Sequence, residues 1–489
     1  MAWLDWSRDA GLVLLVVDVS ARLALAVRVI LRRTPVPVTL SWLLVLLFLP
    51  VFSWLLYLLV GEPRLGSRRA RVYEELTERI EQEAVLHWGQ GGMVRTPEQE
   101  PERSLAHLTT SVTGMPPLGG NEIELLGTGA SVLRRMIDDI DRAKKHCHLL
   151  FYIWQATGTA GAVGEALIRA AERGVDCRVL VDEVGSLAFL KSEVRARMDR
   201  AGVRVVAALP VNPVRMLLAR VDLRNHRKLA VFDGEVAYCG SQNMTDETFR
   251  VRGRAKVGPW IDATVRVRGP AVQALQTVFL RDWMMDSEER PEHVHEFFAA
   301  PAPVAGGGSI VHVVPSGPGP HADAIHQALL AMLYGAREEI IMTTPYFVPD
   351  EATKNALVNA ALRGVEVTLV LPDVLDARVV AAAARAHYDD LLSAGVRIAH
   401  HREGLLHAKA ATIDRRMAML GSANFDMRSF WLNFECTLFV YDEDFAGRLR
   451  FMQRHYLNES HMIDPLEWRR RPIVRRFVDN CAQLLNPLL

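Results

Sequence analysis

HRKLAVFDGEVAYCGSQN at residues 226–243 and HAKAATIDRRMAMLGSAN at residues 407–424 are two statements of one pattern, HxKxxxxDxxxxxxGSxN. Every specified residue of the first copy, His226, Lys228, Asp233, Gly240, Ser241 and Asn243, recurs 181 positions later as His407, Lys409, Asp414, Gly421, Ser422 and Asn424. With each residue type at roughly one position in twenty, agreement at six positions arises by chance about once in 10⁸ starting points. Two copies of one structural unit are therefore the starting point.

In a strand reading His226 and Lys228 lie two residues apart and face the same side, so imidazole and ammonium point into one site. The apolar run Leu229 to Phe232 carries the strand into the core. Asp233-Gly234 and Asp414-Arg415 turn the chain, and Val236–Cys239 and Met417–Leu420 return it as hairpin partners. Gly-Ser-x-Asn ends each return strand beside the histidine, where glycine allows close backbone approach and the serine and asparagine side chains can bond phosphoryl oxygens. Asp233 and Asp414 complete the motif and are counted with its catalytic residues, although they are expected more to hold the hairpins than to touch substrate.

The repeat extends beyond the motif. CHLLFYIWQ, a helix ending AERGV and the strand DCRVLVDEVG in the first half match EEIIMTTPYFVP, a helix ending ALRGV and EVTLVLPD in the second. Each half continues with a helix ending Ala-Gly-Val (Ala201 to Val203; Ala394 to Val396) and a short strand before its histidine. Alternating strands and helices with apolar β-branched runs predict an α/β unit with a mixed or mainly parallel sheet in each half. The expected organisation is an N-terminal anchor over 1–70, a stalk and linker over 71–115, a first α/β domain over 116–300, and a second over 301–489. The stretch PAPVAGGGS from Pro301 to Ser309 reads as the connection between the halves.

The first 60 residues differ from the rest. Thr39 to Val60 has no charge over 22 residues, a length that predicts a transmembrane helix, with Pro50 inside it and Trp42, Trp54 and Tyr57 near its ends. The earlier segment, about 11–31, is interrupted by Asp18, Arg22 and Arg28; Asp18 and Arg22 can pair at i, i+4, and the segment crosses, re-enters or lies in the interface. Trp3, Asp5 and Asp9 stand where a cleaved signal would be basic. If both segments cross, Arg64, Arg68, Arg69 and Arg71 outvote Arg32 and Arg33 and put the catalytic part in the cytoplasm; if only the second crosses, the vote weakens or reverses.

Charge excludes little by itself: 57 basic residues balance 57 acidic ones, which argues against nucleic acid as partner. Five unpaired cysteines, Cys147, Cys177, Cys239, Cys436 and Cys481, read as small buried hydrophobes. The pairs His146/His148 and His293/His295 have no matching second ligand pair, so no metal site is expected there. The stretch Trp468 to Arg476 has five arginines among apolar residues, the pattern of a basic helix at a membrane surface or of a solvated helix face.

The paired motifs resemble those of the phospholipase D superfamily, and the wider sequence is similar to the bacterial cardiolipin synthases. The segments that carry the likeness are LLVGEPRLG, NHRKLAVFDGEVAYCGSQN, GPWIDATVRVRGP, TPYFVPD, LLHAKAATID, GSANFDMRSFWLNFE and the terminal NPLL. The resemblance implies two tandem phospholipase D-like domains forming one pseudo-twofold catalytic unit, working without metal or cofactor through a phosphatidyl-histidine intermediate. It gives His226 as nucleophile and His407 as acid, although the residues alone leave that assignment open. Lys228, Lys409, Ser241, Asn243, Ser422 and Asn424 would neutralise and bond the phosphoryl oxygens. Family carboxylates follow GSxN, and Glu435 and Asp262 fit that role of orienting a histidine. Glu435 lies 11 residues past Asn424 and Asp262 lies 19 past Asn243, so the first half carries the longer loop. The implied reaction joins two phosphatidylglycerol molecules into cardiolipin and glycerol at the plasma membrane, with anionic lipids as partners. Hydrolysis by the same residues, phosphatidylethanolamine as donor, and a silent scaffold are the competing readings, and both motifs being complete argues against the last.

Overall fold

The computed structural model describes residues 2–32, 36–62, 65–211, 220, 222–250, 257–287, 289–290, 292–299, 308–319 and 322–484. Residues 301–307 of the expected connection and the terminal NPLL lie outside them. The chain forms two compact units, one of residues 1–70 with 211–223 and one of residues 71–210 with 224–489.

In the first unit the expected helix over 39–60 is two helices, Val36–Phe48 and Phe52–Val60. Pro50 has no N–H and its ring clashes with the preceding turn, and Val51 takes a left-handed φ of 63°. The freed Val51 N–H donates to Asp18 at 2.8 Å, and Asp18 pairs with Arg22 at 2.7 Å as the i, i+4 spacing requires. Among the described residues no helix is long and apolar enough to cross a membrane. The unit is nevertheless inside out: Leu12, Leu14, Leu23, Phe48 and Phe52 are exposed while Asp18, Ser53 and Glu62 are buried.

The second unit is built on one sheet of 16 strands. At its middle Leu118–Leu126 pairs antiparallel with Ser309–Ser316, joining the halves. Outward on one side follow Thr264–Arg268, Val236–Gly240, Leu229–Phe232, His146–Phe151, Asp176–Asp182 and Arg204–Ala208; on the other follow Asn433–Tyr441, Met417–Gly421, Ala410–Ile413, Glu339–Thr343, Glu366–Pro372, Arg397–His401 and Ser460–Met462. The two series match strand for strand until the second adds Ser460–Met462 at its edge, and in each half the three laddered strands before the motif hairpin are parallel. The inner two of each trio are buried on both faces, as their continuous apolar runs demand.

The segment expected as stalk and linker is packed into this unit. Tyr73, Leu76, Ile80, Ala84 and Trp88 recur at helical spacing on Ser67–Gln90, and all are buried. Trp88 Nε1 donates to Gln273 on Ala271–Asp286, a helix buried on nearly every side.

Candidate active site

Each motif hairpin closes on the turn the sequence announces. Asp233 and Gly234 in one half, Asp414 and Arg415 in the other, all have left-handed φ, the backbone of a tight hairpin turn between the paired residues Phe232 and Val236, and Ile413 and Met417. Their carboxylates are turned away from chemistry. Asp233 accepts the N–H groups of Lys144, Lys145 and His146 at 2.7–2.9 Å, and Asp414 those of Arg337, Glu338 and Glu339 at 2.7–2.9 Å. They tie each hairpin to its neighbouring strand. Placing them in a catalytic set by motif membership is corrected by this geometry.

The histidines leave their own half. His226 to Lys228 lie outside the ladder, between Arg224–Asn225 and Leu229–Phe232, and Arg224–Asn225 pairs parallel with Asn433–Phe434 of the other half. The His226 N–H donates to Phe434 O at 2.9 Å. The second half does the same: Leu405–Leu406 pairs with Trp260–Ile261, and the His407 N–H donates to Ile261 O at 2.7 Å. The strand expected through each His-x-Lys is thus interrupted, because the backbone there bonds across the pseudo-twofold.

The side chains cross as well. His226 Nδ1 meets the Glu435 carboxylate at 2.9 and 3.0 Å, and His407 Nδ1 meets Asp262 at 2.6 Å. An ionised carboxylate only accepts, so Nδ1 carries hydrogen and Nε2 of each ring keeps its lone pair. Glu435 and Asp262 occupy equivalent places: a Cβ on Gly240 would meet Ala263 O at 2.4 Å, and one on Gly421 would meet Cys436 O at 2.5 Å. The difference in spacing is a longer loop before Trp260, and the described geometry restores the register.

Ser241 and Ser422 are corrected in role. Ser241 Oγ donates to Asp262 at 2.6 Å and accepts the Ala263 N–H at 3.0 Å; Ser422 Oγ donates to Glu435 at 2.5 Å and accepts the Cys436 N–H at 2.9 Å. Each has a single hydrogen, and the carboxylate takes it, so neither hydroxyl is available to donate to a phosphoryl oxygen. Asn243 Oδ1 accepts the Ile153 N–H at 3.2 Å, and Asn424 Oδ1 is buried without a partner among the described residues. Both asparagine amides remain candidates for phosphate.

Lys228 and Lys409 are buried, and each donates to the carbonyl of its own histidine, at 2.5 and 2.6 Å. Burial pushes both ammonium groups down to about 7, against the pull of Glu435 and Asp262. Burial, with the two lysines adding to it, pushes both imidazoles down to about 4. Burial would raise Asp262, but His407, Lys409 and Ser241 outweigh it and hold the carboxyl at about 2; Glu435 is lowered in the same way by His226, Lys228 and Ser422.

Sequence reasoning missed Arg227. It is fully buried, pairs with Asp282, and donates to Glu435 O at 2.9 Å and Ser316 O at 2.8 Å, pinning the crossing of the first motif into the second half. Its place inside His-x-Lys, just before the apolar strand Leu229–Phe232, was the available signal, since an arginine carried into the core needs a buried anion. His146 and His148 are buried and stacked, with His148 bonded to Gln276 and Arg178. His293 and His295 meet Glu83, apart from the crossed pairs.

A family model described as "Cardiolipin synthase, PLD-like domain" matches residues 136–283 and 329–454, more than half of the chain, and one described as "Phospholipase_D-nuclease N-terminal" matches 23–62. Cardiolipin synthase A of Serratia proteamaculans (strain 568) is 37% identical over 501 residues, covering 99% of each chain. The protein of the same name from Edwardsiella ictaluri (strain 93-146) is 36% identical over 493 residues, again covering 99% of each. Among solved structures, phosphatidylserine synthase of Haemophilus influenzae Rd KW20 shares the fold with a TM-score of 0.58 at 14% identity, covering 79% of this chain and 100% of that one.

Proposed function

The chain belongs to the cardiolipin synthase family of phospholipase D-like proteins, and we propose that its two crossed imidazole–carboxylate pairs divide one phosphatidyl transfer between them. The enzyme joins two phosphatidylglycerol molecules into cardiolipin and glycerol. His226 Nε2 attacks phosphorus while His407, protonated, delivers its proton to the departing glycerol, leaving phosphatidyl-His226. His407 then takes the proton of a hydroxyl on the second phosphatidylglycerol, which attacks phosphorus and frees His226. Lys228 and Lys409 offer their remaining hydrogens to the nonbridging oxygens, joined by the amides of Asn243 and Asn424.

The observation that carries this reading is the crossing itself, which leaves two reactive Nε2 atoms with opposite halves behind them. Charge supports the division of roles. Two ammonium groups and two carboxylates balance with both imidazoles neutral, so a phosphodiester anion brings one uncompensated charge. One proton taken up with substrate restores the balance and arms one imidazole as the acid.

Lipid substrate fits the first unit. Its apolar exterior and the pairing of buried Asp18 with half-buried Arg22 are those of a helical anchor placed in a bilayer, with Asp18 satisfying the backbone that Pro50 opens. By the arginine count after Val60, two crossings would set residues 71 onward on the cytoplasmic side.

The test is turnover of labelled phosphatidylglycerol by the purified full chain beside His226→Ala. Cardiolipin and glycerol in equal amounts, lost in the variant, are expected. Phosphatidic acid without cardiolipin would replace transfer by hydrolysis.

A further inference from the structure

Helix Ile473–Gln483 faces the wrong way for a soluble protein. At 100° per residue, Ile473, Val474, Phe477, Val478, Cys481 and Leu484 fall within about 140° of its circumference, and no polar residue interrupts that arc. All six are exposed, Ile473 by 80% and Phe477 by 67%. What the helix turns inward is a charge. Asp479 is buried and accepts from Arg385 at 2.8 and 3.1 Å and from Arg471 at 3.2 Å; Ala482 beside it packs with Ala382, Ala383 and Val348. Arg471 also reaches Asp389 at 3.0 Å and lies 3.5 Å over the Trp468 ring. The orientation is therefore fixed by a buried ionic cluster, and the apolar face is held outward.

Two features say what covers it. Arg475 and Arg476 are exposed on either side of the arc on the helix itself, and Arg469 and Arg470 are exposed just before it in the chain, so the patch is apolar with a cationic border. That combination matches acyl chains beneath anionic headgroups. Its position is the second. The helix under it, Arg378–Ala386, follows directly on Val374 and Leu375; Leu375 packs with Trp260 and Leu405, and the Trp260 ring lies on His407 at 4.5 Å. Val348, in contact with Ala482, sits on the two-residue strand paired with Phe425–Asp426, which follows Asn424. The outward apolar surface, with exposed Val374 and Val379 between, borders the catalytic end of the second half.

We propose that helix Ile473–Gln483 is an interfacial helix, which seats the catalytic end of the second unit on a bilayer surface containing anionic phospholipid. The inference rests on the lipid reading of the active site and adds a docking surface to it. Lipid then enters from the plane in which the helix lies.

Cys481 supplies the probe, because it is the exposed cysteine on the arc and the other four are buried. The full chain, labelled there with an environment-sensitive fluorophore, is placed in nanodiscs of phosphatidylcholine alone or with phosphatidylglycerol, some carrying nitroxide-labelled acyl chains. The expected result is a blue shift with nitroxide quenching in the anionic discs and little in the neutral ones. Emission unchanged in both overturns the proposal. Equal insertion in both overturns the anionic part of it, and a shift in detergent that grows with protein concentration assigns the face to a second copy instead. Phe477→Asp, with an unchanged melting temperature, should lose insertion and roughly tenfold of turnover on bilayer substrate while keeping turnover on a short-chain soluble phosphodiester. An equal loss on both substrates would make the helix structural. If the wild type inserts but forms no cardiolipin, the reaction reading fails alone; if it forms cardiolipin without insertion, this proposal fails alone.

Discussion

His226 keeps 12% of its side chain open to solvent against Glu435, whereas His407 keeps 4% against Asp262 and lies beneath Trp260. Glu435 also receives Asn433 Nδ2 at 3.1 Å, and Arg227 grips the backbone behind it; Ala408 stands where Arg227 would be in the second motif. One backbone plan, used twice, has acquired two environments. The difference teaches how a duplicated site can separate roles: the proposed division gives the more open ring to the phosphorus atom and the enclosed ring to the proton.

The comparison can be broken most sharply at the rings themselves. His226→Asn and His407→Asn should each lower turnover by about 10⁴-fold. A phosphodiester with a phenolate leaving group needs no acid, so with it His407→Asn should accumulate an adduct on His226, seen by peptide mass spectrometry, while His226→Asn should give none. An adduct on His407 would exchange the roles.

Next come the crossed carboxylates. Glu435→Gln and Asp262→Asn should each cost roughly 10³-fold in kcat by leaving an imidazole in the wrong tautomer. The substitution in one half should act through the histidine of the other, so Glu435→Gln should slow adduct formation on His226 in the phenolate assay and Asp262→Asn should spare it.

Arg227 tests the asymmetry as stability. Arg227→Met leaves Asp282 buried and unpaired and should cost about 3–5 kcal/mol, read by denaturant unfolding. Ala408→Ser, at the matching place, should leave the midpoint nearly unchanged.

Acidity probes both halves together. Lys228 and Lys409 are lowered to about 7, so each is an ammonium only below that value, and kcat/KM should fall as pH rises through about 7. The imidazoles, lowered to about 4, act instead on stability. Between about 6.5 and 4 the unfolded chain binds protons that the native site refuses, so stability should fall as pH drops through that window. The smallest effect belongs to the serines. Ser241→Ala and Ser422→Ala should each lower kcat by roughly tenfold with KM little changed, and a raised KM at constant kcat would return the hydroxyl to substrate.

Much of this was legible in the chain. The 181-residue displacement gave the duplication, the hairpins and the reactive histidines, because hydrophobic period and turn residues are local signals. It did not give the crossing. Nothing local to Asn433-Phe434-Glu435 says that His226, 209 residues earlier, is its partner. The serine roles were hidden for the same reason, since a hydroxyl is assigned by whichever acceptor the fold brings near. The first unit was misread in shape: Thr39 to Val60 has the composition of one helix, and the outcome was decided by Pro50 together with Asp18, a distant side chain that stabilises the break.

The crossing also puts a clock on the polypeptide. On a ribosome the first motif emerges with its hairpin ready to form, but the carboxylate that orients His226 is still unmade, and Asp262 waits for a histidine that does not yet exist. A nascent chain stopped anywhere before Glu435 lacks the pair that would arm it. On the proposed mechanism, activity begins only with a chain synthesised through both halves.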